Sequence, residues 1–138
     1  MKVSTKGRYA LRVLVDLAEN GKDRNVSIRE LAERQSISDK YLEGIVARLS
    51  AAGYVKSVRG KYGGYQLTKE PKDYTVYDIL AATEDSIAVV ACLEDEENQC
   101  PLSSGCRTLP LWEHLQSHLK EFMQSMSLQD VIDKRFTV

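Results

Sequence analysis

Three cysteines, Cys92, Cys100 and Cys106, fall within fifteen residues of one another in a chain of 138. Their spacing, C-x7-C-x5-C, is neither the paired C-x2-C of a zinc site nor a C-x-x-C redox motif. Three thiolates on one loop can hold an iron–sulfur cluster when a fourth ligand is supplied. On spacing alone, buried structural cysteines and free redox-sensing thiols are also open readings. An odd count gathered in one stretch argues against a secreted disulfide framework. The neighbouring acidic run Glu94-Asp95-Glu96-Glu97 opposes thiolate formation, supplies an oxygen ligand, or is simply a solvated loop. His114 and His118 stand at i, i+4 without an H-E-x-x-H pattern and read as surface histidines. With no Ser/His/Asp set, phosphate-cradling loop or paired catalytic carboxylate, the residues do not read as an enzyme.

A second set of residues suits nucleic acid. Ser38, Asp39, Lys40 and Glu43 crowd the start of one predicted helix, where Lys40 can contact phosphate or guanine and Glu43 can accept from the cytosine amine. Tyr41 can turn toward either DNA or protein. Ser4, Thr5, Lys6, Arg8 and Tyr9 form another polar cluster, in which backbone amides, hydroxyls and a cation can clamp a phosphate; plain N-capping by Ser4 or Thr5 is compatible with that role. Arg59, with Lys61 close by, suits a narrow minor groove, while Tyr62 and Tyr65 read as hairpin packing. Net charge supports the division. Residues 1–74 carry 15 Lys/Arg against 9 Asp/Glu, and residues 75–138 carry 4 against 11. A basic half joined to an acidic half fits one end that meets a polyanion.

The elements that must position these residues follow from periodicity. Ser4 or Thr5 can cap a helix to about Asn20, with Ala10, Leu11, Leu14, Leu17 and Ala18 on one stripe and Gly21 as its stop. Ser27 and Glu30 read as a capping box for a short helix to about Arg34. After the turn Gln35-Ser36-Ile37-Ser38, a second helix carries Tyr41, Leu42, Ile45, Val46 and Leu49 and ends at Gly53. Two helices so joined are a helix-turn-helix. Residues 54–59 and 65–68 then alternate as strands around Gly60-Lys61-Tyr62-Gly63-Gly64, which makes a hairpin wing. A short helix from about Thr75 to Ala82, an irregular stretch over 84–108, and a long helix from about Leu109 to Met126 follow. Leu111, Leu115, Leu119, Phe122 and Met126 give that last helix a helix–helix seam, and Ser127 can cap a final short helix. The expected fold is mainly α with a small β-hairpin: a winged helix-turn-helix over 1–83, a cysteine-bearing loop over 84–108, and a dimerisation helix with its tail over 109–138. No apolar run approaches the ~20 residues of a membrane span, and the start lacks an apolar signal region, so a cytoplasmic protein is expected.

Ser4-Thr5-Lys6-Gly7-Arg8-Tyr9-Ala10, Tyr41-Leu42-Glu43, Val58-Arg59-Gly60 with Gly63-Gly64-Tyr65, and Ser127-Leu128 together resemble the IscR/NsrR/CymR-type (Rrf) winged-helix regulators over nearly the whole chain. The resemblance implies a homodimer joined by the long helix and bound to a palindromic double-stranded DNA operator. It also implies that Cys92, Cys100 and Cys106 hold an iron–sulfur cluster, 2Fe-2S ahead of 4Fe-4S, and sense cluster status to control iron–sulfur biogenesis genes. Two departures stand out. The cluster-binding branch spaces its cysteines C-x5-C-x5-C, so the first interval here is two residues longer, and the histidine that follows the third cysteine in IscR-type members is replaced by Leu109. The fourth ligand is therefore open among Glu94, Asp95, Glu96, Glu97, His114 and a residue of the partner subunit. The aspartate used early in the first helix by the NsrR-like branch is replaced by Arg8. The wing also resembles the CymR-type branch, which implies a thiol-redox or cysteine-metabolism regulator without a cluster as the alternative.

Overall fold

The computed structural model describes residues 2–136; Met1 and the last two residues of the expected tail lie outside the described residues. Helix α1 spans Thr5–Asn20, with the Ser4 hydroxyl accepting from the Gly7 amide at its start. Helix α2 (Ile28–Gln35) begins where Ser27 Oγ accepts from the Glu30 amide at 3.1 Å. Only half of the expected capping box forms there, because the Glu30 carboxylate turns to Arg24 and Arg34. Helix α3 (Asp39–Ala51) starts on Ser38. The turn between α2 and α3 is one residue shorter than expected, since Gln35 belongs to α2 and Ser36 closes the helix in the left-handed region at φ 55°. Gly53, at φ +79°, lets the chain leave α3 for the wing.

The wing is β1 (Val55–Val58) paired antiparallel with β2 (Gly64–Leu67), Val55 opposite Leu67 and Val58 opposite Gly64. Only Val55 of β1 is buried, because the hairpin reaches beyond the core. Strand β2 is anchored to the α1–α2 connection by the reciprocal Val26–Tyr65 backbone hydrogen bonds of 3.0 and 2.8 Å. Gly64, at φ +148°, lies so close to the Val26 carbonyl that any side chain would strike it. Tyr65 packs partly on the core as expected, but Tyr62 does not pack the hairpin: it is 83 % exposed at the tip, beyond the reach of any core side chain.

Helix α4 (Val76–Thr83) follows, then two short 3-10 turns in the irregular segment, then α5 (Leu109–Ser125) and α6 (Leu128–Asp133). Leu14, Leu17, Leu31, Leu42, Leu49, Ile79 and Leu128 share one core, so α6 returns to pack beside the N-terminal helices. A complete capping box at Ser127 and Asp130 starts α6, and Thr75 bridges to Ser127. Helix α5 turns Met123 inward, while Leu111, Leu115 and Phe122 of the expected seam are exposed on its outer side. No helix among the described residues is long and apolar enough to cross a membrane.

Two polar locks hold this arrangement. Tyr74, 1 % exposed, accepts through its hydroxyl from the Thr68 and Lys69 amides at 3.0 and 3.2 Å and donates to the Tyr54 carbonyl at 2.7 Å. Asp16, 3 % exposed on α1, receives Arg34 at 2.7 Å and Gln35 at 2.8 Å from α2, with Asn20 at 3.3 Å. Burial pushes the Asp16 carboxyl up, and the Arg34 and Gln35 hydrogen bonds outweigh it, so the group lies below its ordinary value. Glu30, held first by Arg24 and then, against some desolvation, by Arg34, drops from 4.5 to about 2.

Tyr74→Phe leaves the Lys69 amide without its partner, while the Thr68 amide and Tyr54 carbonyl keep their mutual 3.3 Å bond, and should cost about 1–3 kcal/mol of unfolding free energy in chemical denaturation; an unchanged midpoint would show the hydroxyl to be dispensable. A carboxyl whose folded value is depressed stabilises the fold above its unfolded value and loses that contribution as pH falls toward the folded one. For Glu30 the window runs from 4.5 down to about 2. The denaturation midpoint should therefore fall more steeply through that window in the wild type than in Glu30→Gln, and parallel profiles would contradict the assignment.

Candidate nucleic-acid interface

The start of α3 presents Lys40, Tyr41 and Glu43 to solvent. The Ser38 hydroxyl accepts from the Tyr41 amide at 3.2 Å, which leaves its own proton free to donate to a phosphate. Tyr41 turns toward α1, meeting Tyr9 edge to face with centroids 5.8 Å apart. Tyr9 in turn lies beneath Arg12 at 5.0 Å and Arg8 at 5.9 Å. Nothing in the local sequence marks Arg12, yet it ties this cluster to the end of α2 by donating to the Gln35 carbonyl at 2.6 Å and its side-chain oxygen at 2.9 Å.

The N-terminal cluster thus reaches the face that carries the recognition helix. Lys6 and Arg48 line one shallow groove with Ser38, Lys40, Tyr41 and Ile45. Arg48 is a second cation that local reading missed, because its place beside Lys6 depends on how α1 packs on α3. Thr5 Oγ1 accepts from Arg8 at 3.4 Å, while the Ser4 amide and hydroxyl both donate to Glu84 at 2.9 Å.

The wing follows α3 and packs against it through β1. Arg59 and Lys61 are exposed near its tip, with the Lys61 ammonium 5.6 Å from the Tyr62 ring. Asn25 Nδ2 donates to the Tyr62 carbonyl at 3.1 Å and so steadies the tip against the core. Among the described residues, Arg8, Lys40, Arg59 and Lys61 take part in no ion pair, whereas Lys6 and Arg48 are both paired with Asp85. Cations without a protein counter-charge are the ones that can exchange solvent ions for phosphates at least cost.

The cysteines are not gathered. Cys92 lies in the 3-10 turn Ala91–Leu93, the Cys100 amide donates to Asn98 at 2.9 Å, and Cys106 sits just before α5. All three are half-buried free thiols. Among the described residues no three His, Cys, Asp or Glu side chains form a group able to hold a metal ion. The donor types suit an iron–sulfur cluster; their placement in this structure does not fit one. His114 and His118 are exposed with ring centroids 6.3 Å apart. Cys106 Sγ lies 3.3 Å from Thr108 Oγ1, and hydrogen bonds from the Thr108 side chain, then from the Thr108 and Leu109 amides, draw its thiol below the ordinary value.

Comparison with known proteins agrees with this architecture. Residues 3–134 match the Rrf2 family, described as iron-dependent transcriptional regulators. The regulator CymR of Bacillus subtilis is 40% identical over 131 residues, covering 95% of this chain and 89% of its own. The regulator IscR of Photorhabdus laumondii subsp. laumondii is 33% identical over 135 residues, covering 98% and 81%. The solved structure of CymR, the global cysteine regulator of B. subtilis, superposes with a TM-score of 0.78 at 37% identity and covers 99% of both chains. The chain is a member of the Rrf2 family of DNA-binding transcriptional regulators, and the expected winged helix-turn-helix is its fold.

Proposed function

We propose that the protein is a homodimeric reader of a palindromic operator, with the cysteine-bearing segment 84–108 as its input. What supports the reading half is the contact of the Tyr9–Arg8 cluster of α1 with Tyr41 on α3, together with the exposed Lys40, Glu43, Arg59 and Lys61, which we take as one DNA-facing face. Helix α3 enters the major groove, Arg59 meets the adjacent minor groove, and the α1 cluster sets the register on the backbone. Ser4, Thr5 and Lys6 contribute at the edge of that face. The exposed Leu111, Leu115 and Phe122 of α5 join two protomers, so that two recognition helices meet successive major grooves ~34 Å apart.

The signal we assign to the segment is iron–sulfur cluster status, bound through Cys92, Cys100 and Cys106. Support comes from the three-thiolate donor set, from the position of Cys106 directly before the dimer helix, and from the similarity to IscR. Because the thiols are apart in this structure, the segment must rearrange to hold a cluster. A signal acts only through a difference in affinity between two such arrangements. One observation favours a second reading, thiol chemistry without a cluster: the hydrogen-bonded Cys106, whose lowered value raises its thiolate fraction. The similarity to CymR points the same way.

Selection of duplexes from a random pool should yield a two-fold symmetric site. Arg59→Ala should weaken binding to it by roughly 5- to 150-fold, the loss of one base-reading contact of about 1–3 kcal/mol. Leu115→Glu should give monomers in sedimentation and lose the site. Anaerobic purification should yield iron and sulfide that vanish in Cys92→Ala, Cys100→Ala and Cys106→Ala; protein free of both, yet released from DNA by thiol oxidation, would replace the cluster with the second reading.

A further inference from the structure

Two acidic residues, Glu84 and Asp85, stand where the DNA-binding half passes into the cysteine-bearing segment. Glu84 takes the Ser4 amide and hydroxyl and lies against Gly7, where any side chain would collide with its carboxylate. Asp85 lies beside it with both oxygens 3.2 Å from Lys6 Nζ and Oδ1 3.3 Å from Arg48 Nη1 and Nη2. Arg48 also donates to the Thr83 carbonyl at 3.1 Å, which fixes its guanidinium toward this corner. The side chain of Asp85 is 78% exposed, against 31% for Lys6 and 43% for Arg48. The carboxylate therefore sits on the solvent side of the two cations, and both cations line the groove that also holds Ser38, Lys40 and Tyr41.

We propose that Asp85 is a built-in rival of the DNA backbone, a carboxylate that occupies Lys6 and Arg48 and must be displaced before a phosphate can use them. The proposal rests on the DNA-reading function above. A carboxylate and a phosphate present the same kind of anionic oxygens to a lysine and an arginine, so the two compete for one pair of donors. The cations favour the ionised form of Asp85, Lys6 first and Arg48 after it, which holds its carboxyl below the ordinary value and keeps the rival charged at neutral pH. Surface ion pairs of this kind are weak, which suits a contact that DNA can displace. Lys40, Arg59 and Lys61 carry no such rival among the described residues, so the restraint acts at one corner of the face. Its effect is on affinity for the backbone and is independent of base sequence.

The test measures binding of a random-sequence duplex by fluorescence anisotropy at several salt concentrations, using the full chain in four forms. These are wild type, Asp85→Asn, the double variant Lys6→Met with Arg48→Met, and the triple variant. Asp85→Asn should tighten binding by roughly two- to five-fold per protomer, the scale of an exposed ion pair. That gain should disappear in the triple variant relative to the double. Equal affinities of wild type and Asp85→Asn would overturn the rivalry. An equal gain with and without Lys6 and Arg48 would also overturn it, since that outcome is general repulsion between an acid and DNA. Loss of salt-dependent binding in every form, wild type included, would remove the reading function itself and is recognised separately.

Discussion

The Asp16 carboxylate, buried in α1 and receiving hydrogen bonds from Arg34 and Gln35 of α2, holds the first two helices in one relative position. An isolated charge at that depth would be strongly unfavourable, and it is tolerated because each oxygen has partners. The same contacts place the end of α2, and with it the short turn that aims α3. Arg12 reinforces the joint from the other side by donating to the Gln35 carbonyl. Apolar packing of Leu14, Leu17, Leu31, Leu42 and Leu49 supplies cohesion, but packing alone tolerates sliding. The directional bonds to Asp16 select one setting of α2 on α1, and the recognition helix inherits it.

The placement of charge follows from this frame. The helix joint and the Val26–Tyr65 bridge fix both neighbours of α3, and the proposed DNA-facing side draws its cations from the start of α3, from α1 and from the wing. The acidic second half meets that side at one corner, where Glu84 and Asp85 touch Ser4, Lys6 and Arg48. A basic face with an acidic restraint at its edge is therefore one continuous structure, and the segment carrying the cysteines begins at the restraint. The segment is also tied to α5, where the Val89 amide donates to Gln116 at 3.1 Å.

Much of this was legible in the sequence because it is local. The stripes Ala10, Leu11, Leu14, Leu17, Ala18 and Tyr41, Leu42, Ile45, Val46, Leu49 repeat at helical spacing; Leu11 and Ala18 are half-buried, Tyr41 is exposed, and the others are buried. Serine caps at 4, 27, 38 and 127 each accept the expected amide. The glycines around the wing tip gave away the hairpin. What escaped depends on distant parts of the chain. Arg48 acquires its meaning from Lys6 and Asp85, which are 79 residues apart in sequence. By type Tyr62 reads as a packing residue, yet the tip extends past the core and leaves it exposed. Met123, off the expected outer stripe, is the buried residue of α5. Cysteine spacing along a chain does not state distances in space, and the irregular segment holds the three thiols apart.

The central claim is that the face shared by α1, α3 and the wing binds the DNA backbone and reads bases through cations left without protein partners. The slope of log affinity against log salt for the wild-type chain on its selected palindromic duplex tests it most directly. With Arg8, Lys40, Arg59 and Lys61 engaged on both protomers, the slope should be steeply negative, about −7. A slope near zero, with binding intact, would contradict the account.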